Sequence, residues 1–108
     1  GILNNSYLGM VRQWQEMFYG QRYSEVDLAG CPDFVKWAEA MGCVGIRVES
    51  PEEVEPAIAL ANSINDRSVV VEFRVDAGEK VFPMVPAGFG NDDVLLHPNQ
   101  NDRREFLR

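Results

Sequence analysis

A chain of 108 residues with 45% hydrophobic and 25% charged content has room for one hydrophobic core and no second independent domain. Its formal charge of -7 gives no clustered basic face for a phosphate backbone or an anionic lipid surface, so neither nucleic acid nor membrane is an expected partner. The longest apolar runs, such as Val69-Val70-Val71, are too short to span a bilayer, and no basic-then-apolar leader opens the chain; the expectation is a cytoplasmic protein.

Ile2-Leu3 followed by Asn4-Asn5 reads as the end of a buried strand running into a turn. From Gly9 to Phe18, the residues Met10, Val11, Trp14, Met17 and Phe18 recur at three- and four-residue steps, which puts them on one side of a helix. Tyr19 to Gly30 reads as a polar loop. Pro32 and Asp33 open a second helix with an apolar stripe of Phe34, Trp37, Ala38 and Met41, and Gly42 closes it in a left-handed conformation. A strand follows at Val44 to Val48.

Ser50-Pro51-Glu52-Glu53 has the form of a capping box with proline at the first helical position, and Val54, Ala57, Ile58, Ala61 and Ile64 give the third helix its buried face. Pro56 removes a backbone bond there and predicts a bend near the helix start. Ser68 to Val75 is a nearly continuous β-branched run, as in strands covered on both faces. Strands alternating with helices predict an α/β fold with a parallel sheet, and such sheets gather ligands beyond the strands' carboxyl ends, where Asn4-Asn5 lies. The stretch Val81 to Gly88 carries two prolines too close together for a sheet interior and reads as an extended surface arm.

Cys31 and Cys43 stand apart and His97 is the only histidine, so zinc has too few ligands, and buried free thiols are favoured over a disulfide. His97 sits in the polar run HPNQND, which suits a solvated loop better than a catalytic base. Any chemistry must therefore arrive with a cofactor.

The segments LNNSYLGMVRQWQEMFYGQRYS, PDFVKWAEAMG and FRVDAGEKVFPMVPAG resemble, in order and spacing, the C-terminal part of acetolactate synthase (acetohydroxyacid synthase) catalytic subunits. The similarity runs from Gly1 to about Asp93. It implies a partial Rossmann-like thiamine-diphosphate-binding fold over residues 1–88, with 89–108 as a tail. In thiamine-diphosphate enzymes a Gly-Asp-Gly sequence and a downstream Asn-Asn bracket the metal site, and only the second half is present here.

By this resemblance Asn5 and the Tyr7 backbone carbonyl ligate Mg²⁺, and Asn5, Tyr7, Gly9 and Met10 contact the cofactor. Met10, Val11, Trp14, Ala87 and Gly88 line the channel that receives the second 2-ketoacid and the sulfonylurea-type and imidazolinone-type inhibitors. The family reaction condenses pyruvate with pyruvate or 2-ketobutyrate in branched-chain amino-acid biosynthesis. Its activating glutamate comes from another domain across a subunit interface, and FAD binds outside this region. None of Glu16, Glu39, Glu52 or Glu53 matches that glutamate; surface charge or capping accounts for them. The expected partners are the missing N-terminal part of the catalytic subunit, further copies in a homo-oligomer, and a regulatory subunit. With no complete catalytic set, the chain alone is expected to be inactive, and a non-catalytic scaffold derived from the same fold is the alternative.

Overall fold

The computed structural model describes residues 1–96. Three strands, β1 (Ile2–Asn4), β2 (Val44–Val48) and β3 (Val69–Arg74), form a parallel sheet in the order β1-β3-β2. The helices are α1 (Gly9–Phe18), α2 (Phe34–Ala40) and α3 (Val54–Ser63), with 3₁₀ turns at Pro51–Glu53 and Asn91–Asp93. The parallel α/β arrangement expected from the sequence is present, and β3, the most β-branched segment, is its central strand.

Alternation divides β2 and β3 into two faces. Ile46 and Val48 sit opposite Val71 and Phe73 and pack under α3, where Val48, Ala57 and Val71 are the buried centre and Val54, Ala61 and Val69 surround them. On the other face Gly45 and Arg47 sit opposite Val70 and Glu72. Helix α2 covers this side. A Cβ built on Gly45 would stand 2.8 Å from the Val35 carbonyl oxygen and 2.9 Å from Val35 Cγ1, so glycine is what lets the helix lie against the strand.

Local signals fix the element ends as the sequence leads one to expect. Asp33 caps α2, its Oδ1 accepting from Val35 N at 3.0 Å and Lys36 N at 3.1 Å, and Gly42 closes the far end at φ +79°. Glu53 Oε2 accepts from Ser50 N at 3.2 Å in the expected capping box. A 3₁₀ turn hands over to α-helix at Val54, leaving Pro56 in the first α-helical turn, where its missing N–H has no intrahelical acceptor.

Several burial expectations are corrected. Leu3 is 76% exposed, because β1 is an edge strand that pairs only with β3, while α3 packs on β2 and β3. Trp37 and Met41 are exposed, since α2 meets the sheet through Val35 and Ala38 instead. Ile58 is also exposed, on the flank of α3 that turns away from β2 and β3. Cys31 is exposed rather than buried, whereas Cys43 is partly covered, and both are free thiols. His97 and the rest of the expected tail beyond residue 96 lie outside the described residues. Across the expected boundary at residue 88, Met84 and Leu95 pair in a short antiparallel bridge.

Candidate functional site

The β1–α1 connection turns sharply at the carboxyl edge of the sheet. Asn4 Oδ1 accepts from Ser6 N at 2.9 Å and Asn5 Oδ1 accepts from Tyr7 N at 3.1 Å, so two successive amides each close a turn on the residue two ahead. Ser6, which follows them, is at φ +61°. The turn is held from outside by Leu8 N donating to Val26 O and Leu28 N donating to Ser6 O, each at 2.9 Å. Among the described residues the Tyr7 carbonyl accepts no hydrogen bond. A Cβ on Gly9 would come within 2.8 Å of Asn5 Nδ2, so the bare α-carbon at position 9 is what leaves room for the Asn5 amide.

Beneath the turn lies a charged group that sequence reasoning missed. Glu72, 1% exposed in the middle of β3, accepts from Asn4 Nδ2 at 2.5 Å and Arg47 Nε at 2.7 Å, and Arg74 Nε lies 3.0 Å from its Oε1. Arg47 Nη2 reaches on to the cap Asp33 Oδ1 at 2.7 Å. Burial pushes the Glu72 carboxyl up, but the hydrogen bonds from Asn4 and Arg47 and the charges of Arg47 and Arg74 outweigh it and hold the group below its ordinary range. The hydrogen bond from Arg47 holds Asp33 down at about 2, and the same contacts raise the Arg47 guanidinium. No described buried side-chain nitrogen or oxygen lacks a partner, and the network therefore fixes Asn4, and with it the start of the turn, without a cost in unsatisfied groups. Arg47 and Glu72 are directly opposite in the β2–β3 register; opposite charges at matched places in two apolar strands were the available signal.

Helix α1 carries the other half of the site. Its apolar side faces outward: Met10, Trp14 and Phe18 form one wall of a cleft of ≈ 500 Å³, and Met84, Pro86 and Ala87 of the arm form the other. Of the residues expected in the channel, Met10, Trp14 and Ala87 meet here, while Val11 and Gly88 do not line this cleft. The arm, expected to be extended, bends at Pro83, bridges to Leu95 through Met84 and turns at Ala87-Gly88, and it is tied to α1 by Gln13, a second residue the sequence reading passed over. Gln13 Nε2 donates to Val81 O at 3.0 Å and Gln13 Oε1 accepts from Val81 N at 2.8 Å. Arg12 Nη1 donates to Ala77 O at 3.0 Å, and its guanidinium lies 4.9 Å and 5.0 Å from the Tyr7 and Tyr23 ring centres. Position 7 thus gives its backbone N–H to the turn and its ring to Arg12 of α1.

Among the described residues no group of three His, Cys, Asp or Glu side chains is placed to hold a metal, and no helix is long and apolar enough to cross a membrane. The Asn5 amide oxygen, which accepts from Tyr7 N, and the Tyr7 carbonyl are hard oxygens of the type that could contribute to a Mg²⁺ shell.

Comparison with known proteins places the chain in a family. Residues 2–73 match the family described as thiamine pyrophosphate enzyme, C-terminal TPP binding domain. An acetolactate synthase of Mycobacterium avium is 55% identical over 97 residues, covering 86% of this chain and 16% of that protein. The acetolactate synthase large subunit of Corynebacterium glutamicum is 52% identical over 97 residues, covering 86% of this chain and 16% of the relative. The isozyme 3 large subunit of Escherichia coli K12 is 47% identical over 96 residues, covering 87% and 17%. The chain thus spans about a sixth of the length of the curated relatives it matches. With a parallel sheet, an Asn-Asn turn at its carboxyl edge and a family match over residues 2–73, the chain belongs to the thiamine pyrophosphate enzyme C-terminal TPP-binding domain family and is similar to acetolactate synthase large subunits.

Proposed function

We propose that this chain acts as the C-terminal segment of an acetolactate synthase large subunit, which condenses pyruvate with a second 2-ketoacid in branched-chain amino-acid biosynthesis. The observation that carries this reading is the first turn of α1: Gly9 makes room for the Asn5 amide, and its neighbour Met10 opens the apolar cleft shared with Trp14 and Ala87. Cofactor anchor and acceptor channel would then be adjacent. Bound thiamine diphosphate supplies the electron sink for loss of CO2 from the first pyruvate.

In this reading Asn5 Oδ1 and the Tyr7 carbonyl would hold Mg²⁺, which would help anchor the cofactor, and Gly9 and Met10 would contact the cofactor. Val11 and Gly88 complete the channel once the rest of the subunit is in place. Apolar walls exclude water from the acceptor step, and the indole of Trp14 offers a rigid face for the ethyl group of 2-ketobutyrate. The metal-binding aspartate, the activating glutamate and the FAD site belong to the remainder of the large subunit. Homo-oligomerisation, a regulatory subunit and a cytoplasmic setting belong to the same proposal.

The test has two parts. The isolated chain should form no acetolactate, and turnover above a no-protein control would overturn the assignment of missing groups. In a complete large subunit carrying this segment, Asn5→Ala should raise the Mg²⁺ needed for half-maximal cofactor binding; an unchanged requirement would remove Asn5 from the site.

A further inference from the structure

We propose that Gln13 is the positioning residue of the acceptor channel: its carboxamide sets the register of the 81–88 arm on α1, and through the arm the approach of Ala87 to Trp14. The inference rests on the channel reading of the cleft and adds a residue to it.

Its burial is the first argument. Gln13 is 3% exposed, whereas Met10, Val11, Trp14 and Phe18 on the same helix are all exposed, so α1 inverts the ordinary rule and hides its amide. Hiding a carboxamide is unfavourable unless its donor and acceptor are both used. Both are used on one residue, since Val81 contributes its N–H and its C=O to the same side chain. Two bonds to one peptide residue fix orientation as well as distance, as a strand partner does; a single bond would leave the arm free to pivot.

The second argument is how the arm hangs. Gln13 Nε2 also lies 3.7 Å from the sulfurs of Met17 and Met84, so the carboxamide touches the arm again at a cleft-lining residue. Past Val81, Met84 N donates to Leu95 O at 2.9 Å and Leu95 N to Met84 O at 2.7 Å, closing 84–95 into a loop that carries Pro86, Ala87 and Phe89. Ahead of Val81, the Arg12–Ala77 bond and the Lys80–Glu16 pair at 3.0 Å involve more accessible side chains that water can replace. Gln13 is the buried point between these outer tethers and the closed loop. When it is lost, the loop should shift as one body and the cleft should change width.

The experiment uses Gln13→Leu, with Gln13→Met as a second variant should leucine impair folding. In the 108-residue chain, hydrogen exchange at the Val81 amide should accelerate by about 10-fold or more. In a complete large subunit carrying the chain, the KM for the second 2-ketoacid should rise and the 2-ketobutyrate-over-pyruvate preference should fall by about 10-fold, with a smaller change in kcat. An unchanged Val81 exchange rate, or an unchanged acceptor preference despite faster exchange, overturns the inference. Trp14→Leu run in parallel separates the two readings. If Trp14→Leu shifts the preference and neither Gln13 variant does, the Gln13 inference alone falls; if none of them shifts it, the channel reading falls with it.

Discussion

The Glu72 network is centred on the middle strand of the sheet, the α1–arm cleft lies outside the sheet, and the two are built in opposite ways. Around Glu72 every charge has a partner within the chain, so the region is closed on itself and its groups are held for structure. Along the cleft, large apolar side chains are left partly exposed with only the arm across from them. A self-satisfied polar cluster fixes a turn; an unsatisfied apolar one is suited to receive something. The difference teaches that on α1 it is a polar side chain that is buried and the apolar ones that are left exposed, the reverse of what hydropathy alone suggests for a helix.

Substitution should break the comparison most sharply at its polar end. Glu72→Ala leaves Arg47 and Arg74 facing each other without their carboxylate and should destabilise the fold by about 3 kcal/mol, read by urea denaturation of the chain. If Trp14→Leu cost as much stability, the contrast between scaffold and cleft would fail.

At the apolar end the effect should appear in selectivity. In a complete large subunit carrying this segment, Trp14→Leu should lower the preference for 2-ketobutyrate over pyruvate by about 10- to 200-fold, which is roughly 1–3 kcal/mol for one methylene. Competition assays between the two acceptors measure the ratio, and an unaltered ratio in a folded variant would return Trp14 to an ordinary surface role.

Acid should sharpen the same distinction with a smaller effect. The carboxyls of Asp33 and Glu72 are both depressed in the folded chain, Asp33 from 3.8 to about 2 and Glu72 below 4.5. A depressed acid contributes stability that is present above its unfolded pKa and lost as pH falls through its folded value. The network's contribution should therefore be intact above about pH 4.5 and fade towards pH 2. Asp33→Asn should be less stable than the parent at neutral pH, with the gap narrowing across that window; a gap independent of pH would exclude the ion pair as its cause. The smallest effect is expected at Arg67, whose pair with Asp66 is exposed on both sides. Arg67→Ala should leave the melting temperature unchanged within error.

How far the sequence could be read follows from the range of the interactions involved. The Asp33 cap, the Gly42 stop and the β-branched β3 are set by neighbours along the chain, and they were legible. The faces of α2 and α3 were only half legible, because Trp37, Met41 and Ile58 fit the helical period and yet point where no strand of this sheet reaches. Met10 and Trp14 meeting Ala87 followed from family resemblance, since helical spacing alone gives a stripe without naming what lies opposite. Gln13 and Glu72 escaped notice because a glutamine in a helix and a lone glutamate in a strand are ordinary locally. Their partners lie at Val81, Arg47 and Asn4, and only the folded chain brings those together.

Gly45 extends this long-range logic to a residue without a side chain. Asp33 meets Arg47 because α2 lies low, with Val35 resting where a substituent at position 45 would stand. The glycine thus works as the gauge for the gap between helix and strand. A methyl group there would act as a shim under the first turn of α2, lifting the carboxylate at its head away from the guanidinium. An uncharged change in the strand would then register as the loss of an ion pair between that strand and the helix above it.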